Sequence, residues 1–507
     1  MAETLSAPAV GTPDRTERHD RTEPPDHARR WWVLAVLGIA QLMVVLDATV
    51  VNIALPYAQA DLGFGDADRQ WVVTAYALAF GSLLLIGGRI ADLFGRKNVF
   101  LVGLAGFAIA SAVGGAATNF GMLVVARAVQ GGFGALLAPA GLSLLATTFV
   151  DARERARAFG IYGGIAGAGA SIGLLLGGVL TEYASWRWTM YVNLFFAALA
   201  LVGGFLLLAK HASDARPRLD LPGTVLVSAG LFALVYGFSR AESDGWSDSL
   251  TLGFLVAAGV LLAAFVVWQT RAGNPLLPLR VVLDRSRGGS YLAMFIAAAG
   301  MFAVFLFLTY YLEATLGYSA VRAGVAFLPM TGVLVVTAGI SSTVLVPRVS
   351  PRVLMPAGML LAAAGMVVLT RIELQSAYAS TVLPASLLMG IGLGLVFSAA
   401  FVLGTLGVTE HDAGVASAMV NTTQQVGGSI GAALLNTIAA TAATGWVADH
   451  AADTPDQRLL AAQAALHSYT TAFWWAAAIF AGGAVLSGLV LRRDVPQLDG
   501  SATAVAL

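Results

Sequence analysis

Long apolar stretches separated by short polar segments dominate the pattern of this chain. Each stretch approaches the roughly 20 residues that an α-helix needs to cross a hydrocarbon core about 30 Å thick. The pattern therefore predicts an all-α integral membrane protein with fourteen transmembrane helices. The predicted spans cover residues 31–55, 70–89, 98–117, 121–148, 158–181, 189–209, 221–239, 250–269, 288–312, 324–346, 353–370, 379–406, 416–441 and 470–491.

Polar tails flank these spans. Residues 1–30 are rich in Pro, Asp, Arg, Thr and Glu and lack the apolar run of a signal peptide, so we expect a disordered tail there. Residues 492–507 form a second tail. An even number of spans places both tails on the same side of the membrane.

The basic residues indicate which side that is, because loops facing the cytoplasm carry an excess of Lys and Arg. Arg127 falls inside a predicted span, and most of the other basic residues lie on the side of the tails. We therefore expect both termini in the cytoplasm. Of the 29 basic residues, the opposite side has only Arg69, Arg187, Arg240, Arg322, Arg371 and Arg458.

The composition indicates which class of protein this chain belongs to. Hydrophobic residues make up 58% of the 507 residues and charged residues 11%, whereas soluble domains carry about 25% charged residues. Zero net charge argues against a nucleic-acid-binding surface. The absence of cysteine excludes disulfides, thiolate metal sites and cysteine nucleophiles, and six histidines offer little for a metal site. We expect neither metal nor cofactor. Abundant Ala and Gly, with Arg far exceeding Lys, favour a bacterial origin.

An internal repeat is visible when the sequence is shifted by 259 positions. The alternative is that the matching residues coincide by chance, because Gly and Ala are common in this chain. The shift places Gly131 on Gly390, Asp151 on Glu410, Gly169 on Gly428 and Arg89 on Arg348.

The repeat predicts a chain of two six-helix halves, 31–209 and 288–491. Between them residues 210–287 form an inserted two-helix hairpin with its linkers. Duplicated halves that rock about a central site are an architecture of secondary transporters.

A polar loop between the second and third spans carries the first motif. Residues 87–97 read Gly-Gly-Arg-Ile-Ala-Asp-Leu-Phe-Gly-Arg-Lys, which resembles the signature loop of the major facilitator superfamily. The resemblance implies the fold of that superfamily and a loop that latches one conformation. The alternative is a solvated charged turn. The predicted latch consists of Gly88, Asp92, Gly95, Arg96 and Lys97.

Other motifs narrow the resemblance. Residues 46–56, Leu-Asp-Ala-Thr-Val-Val-Asn-Ile-Ala-Leu-Pro, resemble a motif of the fourteen-helix drug:proton antiporter family. Residues 127–134, Arg-Ala-Val-Gln-Gly-Gly-Phe-Gly, are similar to a further motif of the superfamily. Shorter matches to the antiporter family lie at Gln70-Trp71 with Tyr76, at 185–188 with Asn193, and at 421–431.

The fifth span is rich in glycine and resembles a motif regarded as an antiporter mark. It departs from that motif at Leu174 and Leu175, where a Gly-Pro pair is usual. Glycines at such spacing either permit gating or simply allow close helix packing. The candidate gating glycines are Gly169, Gly173, Gly177 and Gly178.

Two ionisable residues fall at membrane depth. A charge at a helix centre costs at least roughly 2.5–3.5 kcal/mol, so such a residue indicates a function and a partner. At about 1.5 Å per residue, Asp47 lies roughly 24 Å up an outward-running span and Arg127 roughly 9 Å down an inward-running one, so the two could meet.

Burial disfavours an ionised carboxyl group and a nearby guanidinium favours it. Changes in wetting or distance could therefore load and unload a proton on Asp47, whereas Arg127 keeps its charge. The alternative is a static ion pair that fixes the helix arrangement. Ser386 stands opposite Arg127 in the repeat, so the charge is confined to one half.

Further polar residues are candidates for a substrate cavity. Glu313 lies near the end of its span, where a carboxylate can also reach interfacial water. The polar residues of span 416–441 either face the cavity or join helices by hydrogen bonds. The candidates are Asn52, Gln130, Glu313, Asn421, Gln424 and Gln425.

The resemblance implies a proton-coupled antiporter that exports lipophilic, often cationic drugs or antibiotics across the cytoplasmic membrane of a bacterium. Its expected partners are a small-molecule substrate, protons and the lipid bilayer, without nucleic acid and without a requirement for an oligomer. Rival interpretations are export of an endogenous metabolite, import of a nutrient, or a sensor or scaffold without transport. No phosphate loop or nucleophile constellation indicates an enzyme.

Overall fold

The computed structural model describes residues 27–149, 151–209, 220–408, 412–451 and 456–495. Most of both predicted tails, and linker residues 210–219, therefore lie outside the described residues. The described ranges are helical, with no β-strand among them.

Fifteen α-helices follow one another along the described residues. Three of them adjoin π-helical turns. Val304–Leu308 and Tyr311–Thr315 follow α10, Ser341–Leu345 follows α11, and Tyr378–Val382 precedes α13. The helices are α1 His27–Leu62, α2 Asp66–Phe94, α3 Arg96–Gly115, α4 Phe120–Thr148, α5 Ala152–Tyr183, α6 Trp188–Leu207, α7 Leu221–Ser243, α8 Ser249–Gln269, α9 Leu279–Leu283, α10 Arg285–Ala303, α11 Ala320–Ile340, α12 Pro351–Leu369, α13 Leu383–Thr405, α14 Ala413–His450 and α15 Gln457–Val490.

The number of spans agrees with the prediction of fourteen. Thirteen helices of the described chain are long and apolar enough to cross a membrane. The fourteenth is α5, which is bent by 43° between Arg153–Gly169 and Ser171–Tyr183. Short α9 was not predicted, because five residues are too few for a periodic pattern.

The last two helices are longer than predicted. α14 has 38 residues and α15 has 34, so at 1.5 Å per residue they measure roughly 57 and 51 Å. Both extend well beyond a core about 30 Å thick. The predicted spans 416–441 and 470–491 were too short, because the additional turns are rich in alanine and polar residues and do not continue the apolar run.

The helices form two packed groups joined by several contacts. α1 to α6 pack on one another, as do α10 to α15, and the α7–α8 hairpin packs on α2 and α14. Contacts between the groups run through α5, which touches α11 and α13, and through α2 and α4, which both touch α14. The chain is thus two six-helix halves with an inserted hairpin, while the boundaries at 209 and 288 stay a prediction.

Two glycines that the repeat superposes make the same kind of contact. A Cβ atom on Gly131 of α4 would overlap the carbonyl oxygen of Tyr76 on α2. A Cβ atom on Gly390 of α13 would lie 2.5 Å from the carbonyl oxygen of Met330 on α11. In each half, therefore, glycine allows two helix backbones to approach at corresponding places.

Asp220 ties the base of the inserted hairpin together. Its carboxylate caps α7 by accepting from the backbone N–H of Gly223 at 3.0 Å. It also accepts from the indole of Trp268 and the amide of Gln269, both at 2.8 Å, and from the backbone N–H of Leu276 at 3.4 Å. Burial alone would raise the pKa of Asp220, but these hydrogen bonds outweigh it and the pKa is lowered.

We predict that Gly131→Ala lowers the stability of the protein, because the methyl group must push α2 away from α4. The expected loss is about 1–3 kcal/mol, measured as the thermal midpoint of purified protein in detergent. Gly132→Ala is the matched control. A Cβ atom there meets only Leu83 at 3.7 Å, so an unchanged or slightly raised midpoint is expected. Equal midpoints for the two variants would contradict the close approach.

We predict that Asp220→Asn destabilises the protein at pH 7, by about 1–2 kcal/mol, because hydrogen bonds to a carboxylate are lost. A lowered folded-state pKa contributes stability above the unfolded value of about 3.9, and that stability is lost as the pH falls below it. The difference between the thermal midpoints of wild type and variant should therefore be constant at neutral pH and shrink as the pH falls from the unfolded value towards the lowered folded-state pKa. A difference that does not shrink on acidification would exclude this role for the ionised carboxylate.

Candidate functional site

A closed polar network lies among the helices of the first half. Arg127 Nη1 donates to Asp47 Oδ2 at 2.6 Å and to Gln130 Oε1 at 2.7 Å. The other carboxylate oxygen, Asp47 Oδ1, accepts from Gln130 Nε2 and from Asn193 Nδ2, both at 2.7 Å. The structure thus brings together the two charges that the depth estimate placed at one level.

Ser111 of α3 completes the network beside the carboxylate. Its hydroxyl donates to the carbonyl oxygen of Met190 at 2.7 Å. The same hydroxyl oxygen accepts from Asn193 Nδ2 at 3.0 Å and from Gln130 Nε2 at 3.3 Å. Four helices, α1, α3, α4 and α6, therefore contribute side chains to one hydrogen-bonded group.

The second helix covers the guanidinium. Arg127 Nε donates to the carbonyl oxygen of Val72 at 3.3 Å, and the guanidinium carbon lies 4.3 Å from the centre of the Tyr76 ring. Asp47 is 0% and Arg127 1% exposed. The ion pair is thus sealed from both water and lipid in this conformation, and its charges are balanced by each other and by amide dipoles.

Local sequence explains this geometry. Arg127 and Gln130 are three residues apart on α4 and therefore share a face. Gly131, on the next turn, allows α2 to approach so closely that Val72 and Tyr76 reach the guanidinium. The site depends on the glycine contact as well as on its polar side chains.

Two polar atoms of the network have no hydrogen-bond partner. They are Asn193 Oδ1 and the Tyr76 hydroxyl. A buried acceptor without a donor is costly and uncommon. Asn193 Oδ1 is therefore available to accept a hydrogen bond if a proton arrives nearby.

Glycines of α5 pack against the segment of α1 that carries Asp47. A Cβ atom on Gly173 would overlap the hydroxyl of Thr49, and one on Gly177 would lie 3.2 Å from the Cα atom of Val50. Gly169 packs in the same way against Val45, and Gly178 is buried. The segment of α1 that carries Asp47 is therefore packed against the glycine face of α5.

Another face of α5 meets the second half. A Cβ atom on Gly163 would lie 3.0 Å from the ring of Phe401 on α13, and one on Gly167 would lie 2.9 Å from Leu334 on α11. The same helix thus touches the segment around Asp47 on one face and the opposite half on the other.

The latch loop packs against the start of α14. Arg96 Nη2 lies 3.3 Å from Asp92 Oδ1, and a Cβ atom on Gly414 would lie 2.5 Å from the carboxylate of Asp92. A Cβ atom on Gly88 would lie 2.7 Å from the carbonyl oxygen of Gly414. Gly95 takes a φ of 88°, which favours glycine, at the turn into α3.

Lys97 has a different environment from the rest of the loop. Its ammonium group donates to the carbonyl oxygens of Phe205 and Leu208 at the end of α6. A cation there stabilises the helix terminus. These contacts lie within the first half, whereas Gly88 and Asp92 reach the second.

The proposed cavity residues outside the network are dispersed. Asn421 is buried and donates to Ser417 O of its own helix at 2.9 Å, while Gln424 and Gln425 are half-buried on α14. Glu313 is half-buried in a π-helical turn of the second half and forms no hydrogen bond or ion pair with any described residue. The side chain of Asn52 lies outside the described residues.

Sequence reasoning identified Asp47, Arg127 and Gln130 as candidates but missed three neighbours. Asn193 and Tyr76 appeared only as parts of motif matches, and a single serine such as Ser111 gives no signal in an apolar span. Within the described ranges, no group of three or more His, Asp or Glu residues could hold a metal ion.

Several curated proteins are similar to this chain. It is 48% identical over 479 residues to a puromycin resistance protein of Streptomyces alboniger, covering 94% of each chain. It is 40% identical to a cephamycin export protein of Amycolatopsis lactamdurans, over 81% of this chain and 85% of that one. A tetracenomycin C resistance and export protein of Streptomyces glaucescens is 36% identical, with 84% and 80% covered.

Solved structures share the fold at low sequence identity. The proton:xylose symporter XylE superposes with a TM-score of 0.62 at 15% identity, covering 93% of this chain and 97% of that one. The human organic anion transporter MFSD10 gives 0.61 at 14% identity, with 90% and 99% covered. Both family and fold are those of a membrane transporter rather than an enzyme. A family model described as Major Facilitator Superfamily matches residues 37–432, and the chain belongs to that superfamily.

Proposed function

We propose that this protein is a proton-coupled antiporter that exports lipophilic, often cationic drugs or antibiotics. The observation that carries the proposal is the sealed Asp47–Arg127 pair, with 2.6 Å between Nη1 and Oδ2. The functions for which the relatives are named, which are resistance to or export of puromycin, cephamycin and tetracenomycin C, support drug export. All members of the network come from one chain, so the mechanism does not require an oligomer.

Asp47 is the proposed proton carrier. In the described conformation its two oxygens accept three hydrogen bonds, which suits an ionised carboxylate. A protonated carboxyl group is also a donor and needs an acceptor. Rotation of the Asn193 amide would present its unpartnered Oδ1 to that proton, so one side chain can serve both protonation states.

Conformational change is the proposed trigger. The network excludes water, so a proton can reach Asp47 only when the surrounding helices separate. α5 packs on α1 beside Asp47 and on α11 and α13 of the second half. Rocking of the halves would therefore shift the segment of α1 that carries Asp47, because Gly173 and Gly177 pack against that segment. Release of Asp92 from α14 at the latch loop would accompany the opening on that side.

The proposed substrate cavity lies between the halves. Gln424 and Gln425 are half-buried amides on α14 and suit hydrogen bonding to a substrate, and Asn421 is a buried amide one turn earlier on the same helix. Asn52 of α1 stays a candidate from the sequence alone. Glu313 offers a carboxylate for a cationic substrate, in a π-helical turn of the kind often found at functional sites.

We further propose that both termini face the cytoplasm of a bacterium, since most basic residues lie on their side. Protons then enter along the membrane potential while drug leaves. That potential supplies roughly 2.3 kcal/mol per 100 mV for each net charge moved inward, so it drives export of a cationic drug when more charges enter as protons than leave with the drug.

Asp47→Asn should abolish proton-driven export, because an amide cannot carry the proton. In proteoliposomes, addition of puromycin to wild-type protein should release protons, and the variant should release none while still reaching the membrane as folded protein. Asp449→Asn, which changes an exposed carboxylate of α14, is the control and should behave as wild type. Proton release at the wild-type rate from Asp47→Asn would exclude Asp47 as carrier.

Asn193→Ala should slow proton exchange by about tenfold, because one charge-assisted hydrogen bond to Asp47 is lost. Puromycin affinity at equilibrium should stay unchanged, which separates a positioning role from general damage. Asn98→Ala is the control, since Asn98 donates only to Phe94 O on the surface. Equal losses of affinity and proton release would indicate a purely structural role.

A further inference from the structure

A cavity lies in the second half of the molecule, on the side of the membrane opposite to the latch loop. It has a volume of about 630 Å³, within the range of about 300–1,000 Å³ that is usual for sites of drug-sized ligands. Its walls are the α12–α13 loop, the end of α14 and the start of α15. The chief lining residues are Glu373, Gln375, Trp446, Gln463, Leu466 and His467.

The extra turns of α14 and α15 build this cavity. The imidazole of His450 stacks on one side of Trp446 with ring centroids 3.9 Å apart, and the ring of His467 lies 4.6 Å from the same indole. These rings join the two helices beyond the membrane core. The cavity therefore exists only because both helices continue past the predicted spans.

The loop that completes the cavity is fixed by hydrogen bonds. The Tyr311 hydroxyl donates to the carbonyl oxygen of Glu373 at 2.7 Å, and the backbone N–H of Glu373 donates to Ser376 Oγ at 2.8 Å. Both contacts hold the backbone of Glu373 and leave its carboxylate group at the cavity. The carboxylate itself forms no hydrogen bond or ion pair with another described residue.

Apart from the imidazole of His467, the carboxylate of Glu373 is the only ionisable side chain among the described lining residues. Glu373 contributes a carboxylate, and no Lys or Arg is among the residues that line the cavity in the described chain. The indole N–H of Trp446 is buried without a hydrogen-bond partner, so one donor of the wall lacks an acceptor. Leu374 and Leu466 add apolar surface.

We propose that this cavity binds organic cations that carry an apolar body and a hydrogen-bond acceptor. The cation pairs with Glu373, and the apolar body packs on Leu374 and Leu466. An acceptor on the ligand reaches the buried indole N–H of Trp446 when that side chain turns towards the cavity. The site lies beyond the proposed function, because none of its residues belongs to the Asp47 network or to the interface between the halves.

The location of the cavity has a mechanistic consequence. All its walls belong to the second half, so rocking of that half as a unit leaves the lining intact. Binding there persists in every state of the transport cycle, unlike binding in a central cavity. A cation leaving on this side would meet an oppositely charged site.

The test measures binding of tetramethylrhodamine ethyl ester, a fluorescent lipophilic cation with an ester carbonyl, to the full-length protein in lipid nanodiscs. Fluorescence anisotropy gives the affinity. Glu373→Gln should weaken binding at this site about tenfold, because a charge-assisted contact is lost. Gln463→Arg should weaken it at least as much, because it adds a cation to the wall. Glu182→Gln, an exposed carboxylate on the same side of the membrane, is the matched control and should leave binding unchanged.

The same Glu373→Gln loss should appear in the Asp47→Asn background, because the cavity is independent of the proton site. Isotherms of Glu373→Gln that coincide with wild type would overturn the proposal, as would an equal loss for Glu182→Gln. If Asp47→Asn still releases protons, the proposed antiport mechanism fails, but the Glu373 comparison keeps its meaning.

Discussion

The burial of one ion pair among apolar helices is the constraint on which the first half depends. Removing a carboxylate and a guanidinium from water costs several kcal/mol for each ion, and their attraction offsets this only when other hydrogen bonds complete the geometry. Gln130, Asn193 and Ser111 complete it here from three further positions. Loss of any one member leaves a neighbour unsatisfied, so the helices that carry them must keep their mutual arrangement.

Packing and chemistry are coupled through glycine. Gly131 allows α2 to approach α4 closely, so that Val72 and Tyr76 reach the guanidinium. Gly173 likewise allows α5 to pack closely on the turn that carries Asp47. The corresponding contact of Gly390 with Met330 in the second half has no charge beside it, since Ser386 stands where the repeat would place the arginine. Close helix approach at glycine therefore occurs in both halves, whereas the fully buried aspartate–arginine pair lies beside Gly131 of the first half.

The sequence allowed the spans to be predicted because each is an apolar run of about the bilayer thickness, and Asp47 and Arg127 were conspicuous because charge is rare at that depth. Asn193, Ser111 and Tyr76 were not recognised as partners, because a polar or aromatic residue in a span gives no information about which helix it faces. The extensions of α14 and α15 were missed for another reason. Their alanine-rich turns are stabilised by helix propensity and by the Trp446 and His467 contact rather than by lipid, so hydropathy does not detect them.

A network whose donors and acceptors are nearly all matched disfavours any change in the charge of one member. A proton delivered to Asp47 in the sealed arrangement would weaken its ion pair with Arg127 and leave Gln130 and Asn193 donating to a poorer acceptor. In the proposed mechanism the helices therefore move before or together with the proton, and protonation of Asp47 is linked directly to conformation. Asn193 Oδ1, an acceptor of the network without a hydrogen-bond partner, would then give the protonated state a defined structure. With that acceptor available, both charge states of the carboxyl group have their own hydrogen-bond arrangement, which is what an exchange between two discrete conformations requires.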